Sequence, residues 1–202
     1  MTMEDNFKAW RAAFAAYHVP IQPEDYYPIE GLKVPDVARH LIKKYHPTSA
    51  DVQDLIQKKE EHYLKNHRFR FYPGVEKLVQ NLCSRAIPLA LVTAGFRSRL
   101  ERTVPAAFLE KFRVFVTGDE AIEGKPSPAP YLKAAERLGV SPADCLVVEN
   151  APLGIQSAKA AGTYCIGLCT TVANGHLKGA DEIVESFEDL EHCEKIRSLL
   201  CN

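Results

Sequence analysis

Three short stretches of this 202-residue chain hold chemically capable side chains where a backbone would present them to a ligand. In CLVVENAPLGIQSAKAAG, residues 145–162, the apolar run Cys145 to Val148 has the length and β-branched content of a buried strand. Glu149 and Asn150 follow as a polar pair at its carboxyl end. Pro152 then marks a helix start, because its missing N–H is not needed in a first turn. Ile155, Ala158, Lys159 and Ala161 recur at helical spacing, and Gly162 is placed to end that helix. Ligands of an open parallel sheet bind beyond the carboxyl ends of its strands, and hard cations want oxygen donors, so Glu149 and Asn150 suit a metal ion. In PLALVTAG, residues 88–95, Thr93 ends a second apolar run. A hydroxyl beside backbone N–H groups at a helix entrance suits a phosphate. In GKPSP, residues 124–128, a glycine and two prolines hold the backbone around Lys125 and aim its ammonium. Taken singly, each has a plainer reading: a solvated glutamate, a strand-capping threonine, a loop lysine in water.

The rest of the chain must position these residues. From Asp5 to about Tyr17, Phe7, Trp10, Ala13, Phe14 and Tyr17 share one helical face. The following VPIQPEDYYPIEGLKVP carries four prolines and a glycine and reads as loop or very short helix. Val34 to Tyr45 is a second amphipathic helix with Val37, Leu41 and Ile42 inward. A third starts near Ser49, with Asp51 in its first turn, and runs toward His67 on a face of Val52, Leu55, Ile56, Tyr63 and Leu64. After Tyr72-Pro73-Gly74 the period changes. Helices 74–84, 96–104, 127–138 and 153–161 alternate with strands 88–92, 114–117, 146–149 and 164–168, and a short strand 182–184 leads into a helix 187–200. Such alternation predicts βαβ units and a parallel sheet covered on both faces.

Apolar residues make up 46% of the chain, enough for a buried core, and charged residues 25%. A formal net charge of -1 gives no electrostatic case for nucleic acid or membrane binding. No apolar run approaches the ~18 residues that span a bilayer, and no signal-peptide pattern opens the chain. The six cysteines form no CxxC pair, which fits reduced thiols in a cytoplasmic protein better than a disulfide frame or zinc site.

Taken together and in this order, PLALVTAG, GDEAIEGKPSPAPYLKAA and CLVVENAPLGIQSAKAAG resemble motifs two, three and four of the haloacid-dehalogenase (HAD) superfamily. The closest likeness is to its β-phosphoglucomutase-like and sugar-phosphatase branch, and it covers nearly the whole chain. The resemblance implies a Rossmann-like, doubly wound parallel α/β core over residues 72–202, with a small all-helical cap over 1–71. It implies that Thr93 hydrogen-bonds a transferring phosphoryl group beside the Ala94 N–H, and that Lys125 neutralises charge there. It further implies that Glu149 and Asn150 hold Mg²⁺, with Asn150 removing one charge from the usual acidic pair. Asp119 is either a support for the Lys125 loop or an exposed turn residue. Ala129 replaces a family aspartate at a helix start, a loss of capping more than of chemistry.

The chain departs from the family in one respect. The superfamily's nucleophile is the first Asp of a D-x-D pair that ends a buried strand ahead of the cap, and the second Asp is its general acid and base. This sequence contains no D-x-D. By resemblance it begins just after that motif, through a misassigned start or trimming, a truncated gene, or a strand supplied by another chain. The other three motifs read as intact, which favours the first. The expectation is a weak or inactive chain with an unfilled central strand position, whose unpaired edges promote insolubility, unusual pairing or self-association. A mutase of this branch carries a cap Arg near Val34 and Pro35 and a His where this chain has Asn6, so both departures favour a phosphatase over a phosphomutase. Lys33 remains a candidate contact for substrate. The implied activity is a Mg²⁺-dependent phosphohydrolase acting on a small phosphorylated metabolite, a sugar phosphate by preference. The alternative is a non-catalytic member that binds phosphate or a partner without turnover.

Overall fold

A computed structural model of the chain describes residues 3–170 and 174–201. Four helices form its first third: α1 (Met3–Ala15), α2 (Pro23–Tyr26), α3 (Val34–Tyr45) and α4 (Val52–Asn66). The apolar stripes of α1 and α3 turn inward, so that Phe7, Trp10, Phe14, Val37, Leu41 and Leu55 share one cluster. Asp51 lies one residue before α4 and not in its first turn. Its carboxylate accepts from the Gln53 and Asp54 N–H groups at 2.8 and 3.2 Å, satisfying donors that a helix start leaves unpaired.

From α5 (Val75–Ser84) onward, strands and helices alternate as the sequence pattern predicts: β1 (Ala90–Val92), α6 (Arg97–Thr103), α7 (Ala106–Leu109), β2 (Val114–Val116), α8 (Ala129–Leu138), β3 (Leu146–Glu149), α9 (Pro152–Ala160), β4 (Tyr164–Leu168), β5 (Glu182–Val184), α10 (Phe187–Leu190) and α11 (Glu194–Cys201). All pairing is parallel, in two ladders: β1 with β2, and β3 with β4 with β5. Helices cover both faces. Leu78 of α5, Leu190 and Ile196 pack with Ile166 on one side, while Tyr131 of α8 and Ile155 and Ala158 of α9 pack with Cys165 on the other. β4 is buried along most of its length, as a near-continuous apolar run requires. Leu89 shares a cluster with Leu146 and Val148, and Val92 shares another with Val147, which sets β1 beside β3. Among the described residues no ladder joins these two strands, and both are only half-buried.

α9 ends as Gly162 suggests. Gly162 takes a φ of +80°, and the Gly162 and Thr163 N–H groups donate to Lys159 O and Ala158 O at 3.0 and 3.2 Å. This left-handed closure satisfies the last carbonyls of the helix. The expected final helix is instead two. Leu190, Cys193 and Ile196 are all buried across the break. Three-residue turns, His192 N–H to Asp189 O and Cys193 N–H to Leu190 O, join the two helices. The four-residue helix α7 is a further element that the pattern does not predict.

Candidate active site

The three motif stretches end up at the carboxyl ends of three parallel strands. Thr93 follows β1, and its N–H extends the ladder to Val116 O at 2.9 Å. Its hydroxyl accepts from the Gly95 N–H at 3.1 Å, so the Thr93-Ala94-Gly95 turn closes on itself and one expected donor is already used. Gly118, just past β2, holds this turn from behind. Its N–H donates to Gly95 O at 2.9 Å, and a Cβ there would collide with Ala94 O.

Lys125 and Glu149 meet directly. The Lys125 ammonium donates to Glu149 Oε1, and both side chains are buried, at 7% and 9% exposure. The same oxygen accepts from the Tyr131 hydroxyl at 2.6 Å, while Oε2 accepts the Asn150 and Ala151 N–H groups at 3.0 and 3.2 Å. Glu149 therefore holds the turn into α9 as well as pairing with Lys125, and the carboxylate lies so close over Gly154 that a side chain there would displace it. Burial works against the charge on Glu149. The Lys125 ammonium, the Tyr131 hydroxyl and the Ala151 N–H outweigh it and hold the carboxyl below its usual range. Asn150 follows at the cavity wall, with its Nδ2 3.4 Å from Thr170 Oγ1.

Thr93, Ala94, Lys125, Glu149 and Asn150 all line one cavity of about 240 Å³ between the core and the helical first third. Asn6 lines it from α1. Its Oδ1 accepts from Lys59 Nζ at 2.8 Å and from Arg99 Nη1 at 3.0 Å. Both cations also bond Glu60 Oε1, at 2.9 and 3.2 Å, and both lie over the Tyr63 ring. Burial, with Arg99 nearby, brings the Lys59 ammonium down to about 8. Glu30 lines the cavity too and accepts the Tyr26 hydroxyl. Its carboxyl is pushed up to about 7 by burial, against the pull of Lys59, Arg99 and Lys125. His67 stacks on Tyr63 at 5.2 Å, and neither ring nitrogen has a hydrogen-bond partner among the described residues.

Two expected residues act elsewhere. Lys33 lies outside this cavity, in a small crevice beside Thr93 and Gly118, where its ammonium donates to Ala121 O at 2.6 Å. Asp119 supports α6 and not the Lys125 loop, since its Oδ1 accepts the Arg97 N–H at 3.1 Å. Ser127 compensates in part for Ala129: its Oγ accepts the Ala129 N–H at 3.3 Å where α8 begins. The reading from sequence missed Lys59, Arg99 and Glu30. Lys59 had a signal, because it interrupts the apolar stripe of α4 between Ile56 and Tyr63. Arg99 and Glu30 had none.

Glu149 and Asn150 offer a carboxylate and an amide oxygen, donors that fit a hard ion such as Mg²⁺, which takes few protein oxygens and keeps several waters. Among the described residues no three His, Cys, Asp or Glu side chains gather as a metal cluster, and a cation at Glu149 competes with Lys125 for the same carboxylate. No helix among the described residues is long and apolar enough to cross a membrane.

Comparison with known proteins places this architecture. Residues 2–168 match the family described as haloacid dehalogenase-like hydrolase, and the chain belongs to that family. It is 36% identical over 118 residues to Hexitol phosphatase A of Escherichia coli, a match covering 58% of this chain and 55% of that protein. To Beta-phosphoglucomutase of Bacillus subtilis it is 28% identical over 200 residues, covering 94% and 85% of the two chains. The crystal structure of beta-phosphoglucomutase from Clostridium difficile superposes with a TM-score of 0.84 at 20% identity, covering 100% of this chain and 93% of that one, which shows a shared fold. The chain spans about half the length, or less, of most curated relatives it matches, the Bacillus mutase being longer matched.

Proposed function

We propose that this chain is a HAD-type phosphohydrolase for a small phosphorylated metabolite, a sugar phosphate by preference, in a form without its nucleophilic aspartate. The observation that carries the reading is the buried Lys125–Glu149 pair facing Thr93 across one cavity at three strand ends. In it, Lys125 and the Thr93 hydroxyl bind the phosphoryl oxygens with donors fixed before the ligand arrives, so little reorganisation is needed as charge develops. Glu149 seats the ammonium, and Tyr131 and the α9 N-terminus seat Glu149. Glu149 and Asn150 are the residues that would hold Mg²⁺, which when bound supplies further positive charge against the phosphoryl group. Asn6, Glu30 and Lys59 bring the helical unit onto the same cavity.

Relatives named Hexitol phosphatase A and Validoxylamine A 7'-phosphate phosphatase support a phosphatase of small polyhydroxylated esters. A phosphomutase is less well supported. Asn6 is an amide that accepts from two cations and cannot shuttle a proton, and Val34 is buried among apolar side chains. A second reading, phosphate binding without turnover, rests on one observation: the sequence holds no D-x-D, and the aspartate lining the cavity among the described residues, Asp5, sits on α1. Hydrolysis of p-nitrophenyl phosphate with Mg²⁺ that disappears in Lys125→Ala supports the enzyme. Phosphate binding without hydrolysis supports the second reading. Absence of phosphate binding by calorimetry refutes both.

A further inference from the structure

Charge balance and placement over the Thr93 turn together point to one more residue. Lys125 is the obvious cation of the cavity, but Glu149 already neutralises it in the folded protein. A phosphate ester arrives with up to two negative charges, and binding it in a partly enclosed cavity favours positive charge that is not already spent. Four cations besides Lys125 line the cavity, Lys59, Arg68, Arg70 and Arg99, with the carboxyl groups of Asp5 and Glu30, and Lys59 and Arg99 share the carboxylate of Glu60. Lys59 is 1% exposed and directed at Asn6, Glu60 and the Tyr63 ring.

Arg99 is placed differently. It rises from α6, one turn after the Thr93-Ala94-Gly95 loop; among the described residues its guanidinium lies over the Tyr63 ring and hydrogen-bonds through Nη1 alone, to Asn6 and Glu60. The Nη2 edge lies directly over Gly95, so close that a Cβ on that residue would strike it. Gly95 takes no left-handed backbone angle, and a side chain there would require the guanidinium above it to shift. Arginine is a planar fork whose two edges bind independently. One edge is fixed by the helical unit, and the other projects over the turn that carries the Thr93 hydroxyl, at the wall of the same cavity.

We infer that Arg99 is a second cation of the phosphoryl site: its Nη2 edge binds the anion's oxygens over Gly95, while Asn6 and Glu60 hold its Nη1 edge. The inference rests on the phosphate-binding reading above and adds a residue and a linkage to it. The ligand class is a phosphate or phosphate monoester dianion. Because Asn6 belongs to α1 and Glu60 to α4, an anion bound to Arg99 also ties the helical unit to the core.

The test is calorimetric titration of the whole chain with inorganic phosphate, for wild type, Arg99→Gln, Gly95→Ala and the double variant, with circular-dichroism melts to verify folding. Arg99→Gln is expected to weaken phosphate binding about tenfold or more, the worth of one charge-assisted hydrogen bond. Gly95→Ala leaves the arginine and its Asn6 and Glu60 partners in place but pushes Nη2 off the turn, and is expected to cause a similar loss. The double variant should lose no more than either single change, because both remove the same contact. Losses that add across Gly95→Ala and Arg99→Gln, or an unchanged Kd in folded Arg99→Gln, overturn the inference while leaving Lys125 and Thr93 as the phosphate site. Wild type that binds no phosphate refutes the underlying reading and this one with it.

Discussion

Lys125→Met isolates the pair at the centre of the site. The substitution keeps the length and apolar stem of the side chain and removes only the ammonium. Glu149 is then left as a buried carboxylate with the Tyr131 hydroxyl and two backbone N–H groups but no counter-charge. Removing one partner of a buried pair costs about 3–5 kcal/mol. The three remaining donors place this case at the lower end, about 3 kcal/mol at pH 7. The pH dependence carries a definite sign. In the wild type the folded carboxyl titrates below its unfolded value of about 4.3, so its contribution is present above that pH and is lost as pH falls through the folded pKa. Without Lys125 the leading influence is burial, which raises the folded pKa above the unfolded one. The variant's penalty is then full at neutral pH and is relieved as acid protonates Glu149. Urea unfolding followed by far-ultraviolet circular dichroism at pH 7 and pH 5 measures both effects. The variant should be about 3 kcal/mol less stable at pH 7 and should recover a large part of that at pH 5. Glu149→Gln added to Lys125→Met should also recover part of it. A deficit below about 1 kcal/mol at pH 7, or one that does not change between the two pH values, refutes the claim that the pair is a mutually dependent buried ion pair.

Two other outcomes follow from the fold. The half-buried, unpaired edges of β1 and β3 are proposed to drive self-association, so light scattering behind a sizing column should show apparent mass rising with concentration. A strict monomer with one sharp melt at every concentration contradicts this. His67→Phe keeps the ring stacked on Tyr63 and removes two nitrogens that have no partner, so its melting temperature should equal or exceed that of wild type. A clear fall means the imidazole has a role in the free protein.

Strand ends were the legible part of this chain. Leu146–Glu149, Tyr164–Leu168 and Glu182–Val184 coincide with the apolar runs because a doubly covered parallel strand has no need of polar residues until it reaches the ligand edge. For the same reason Thr93 and Glu149 were found: each is the first polar side chain after such a run. Arg99 escaped because nothing local distinguishes it from Arg97, two residues earlier, which pairs with Glu101 and lies over the Phe115 ring. Only the packing of α4 against α6 separates their roles. Glu30 escaped for a related reason, since it sits in a proline-rich segment without periodicity and acquires its setting from α4 and the core. The break at residues 191–193 was invisible because the local pattern favours one helix and the decision is made by the core it packs on.

The bond from Lys33 to the Ala121 carbonyl has a mechanical meaning. It fastens the segment before α3 to the loop that carries Lys125, with Gly124 pressed against the stem of Lys33. Swinging the helical unit away either snaps that tether or drags the 118–124 loop along, unseating the ammonium from Glu149. The position of the helical unit and that of the Lys125 loop are thereby linked through one side chain.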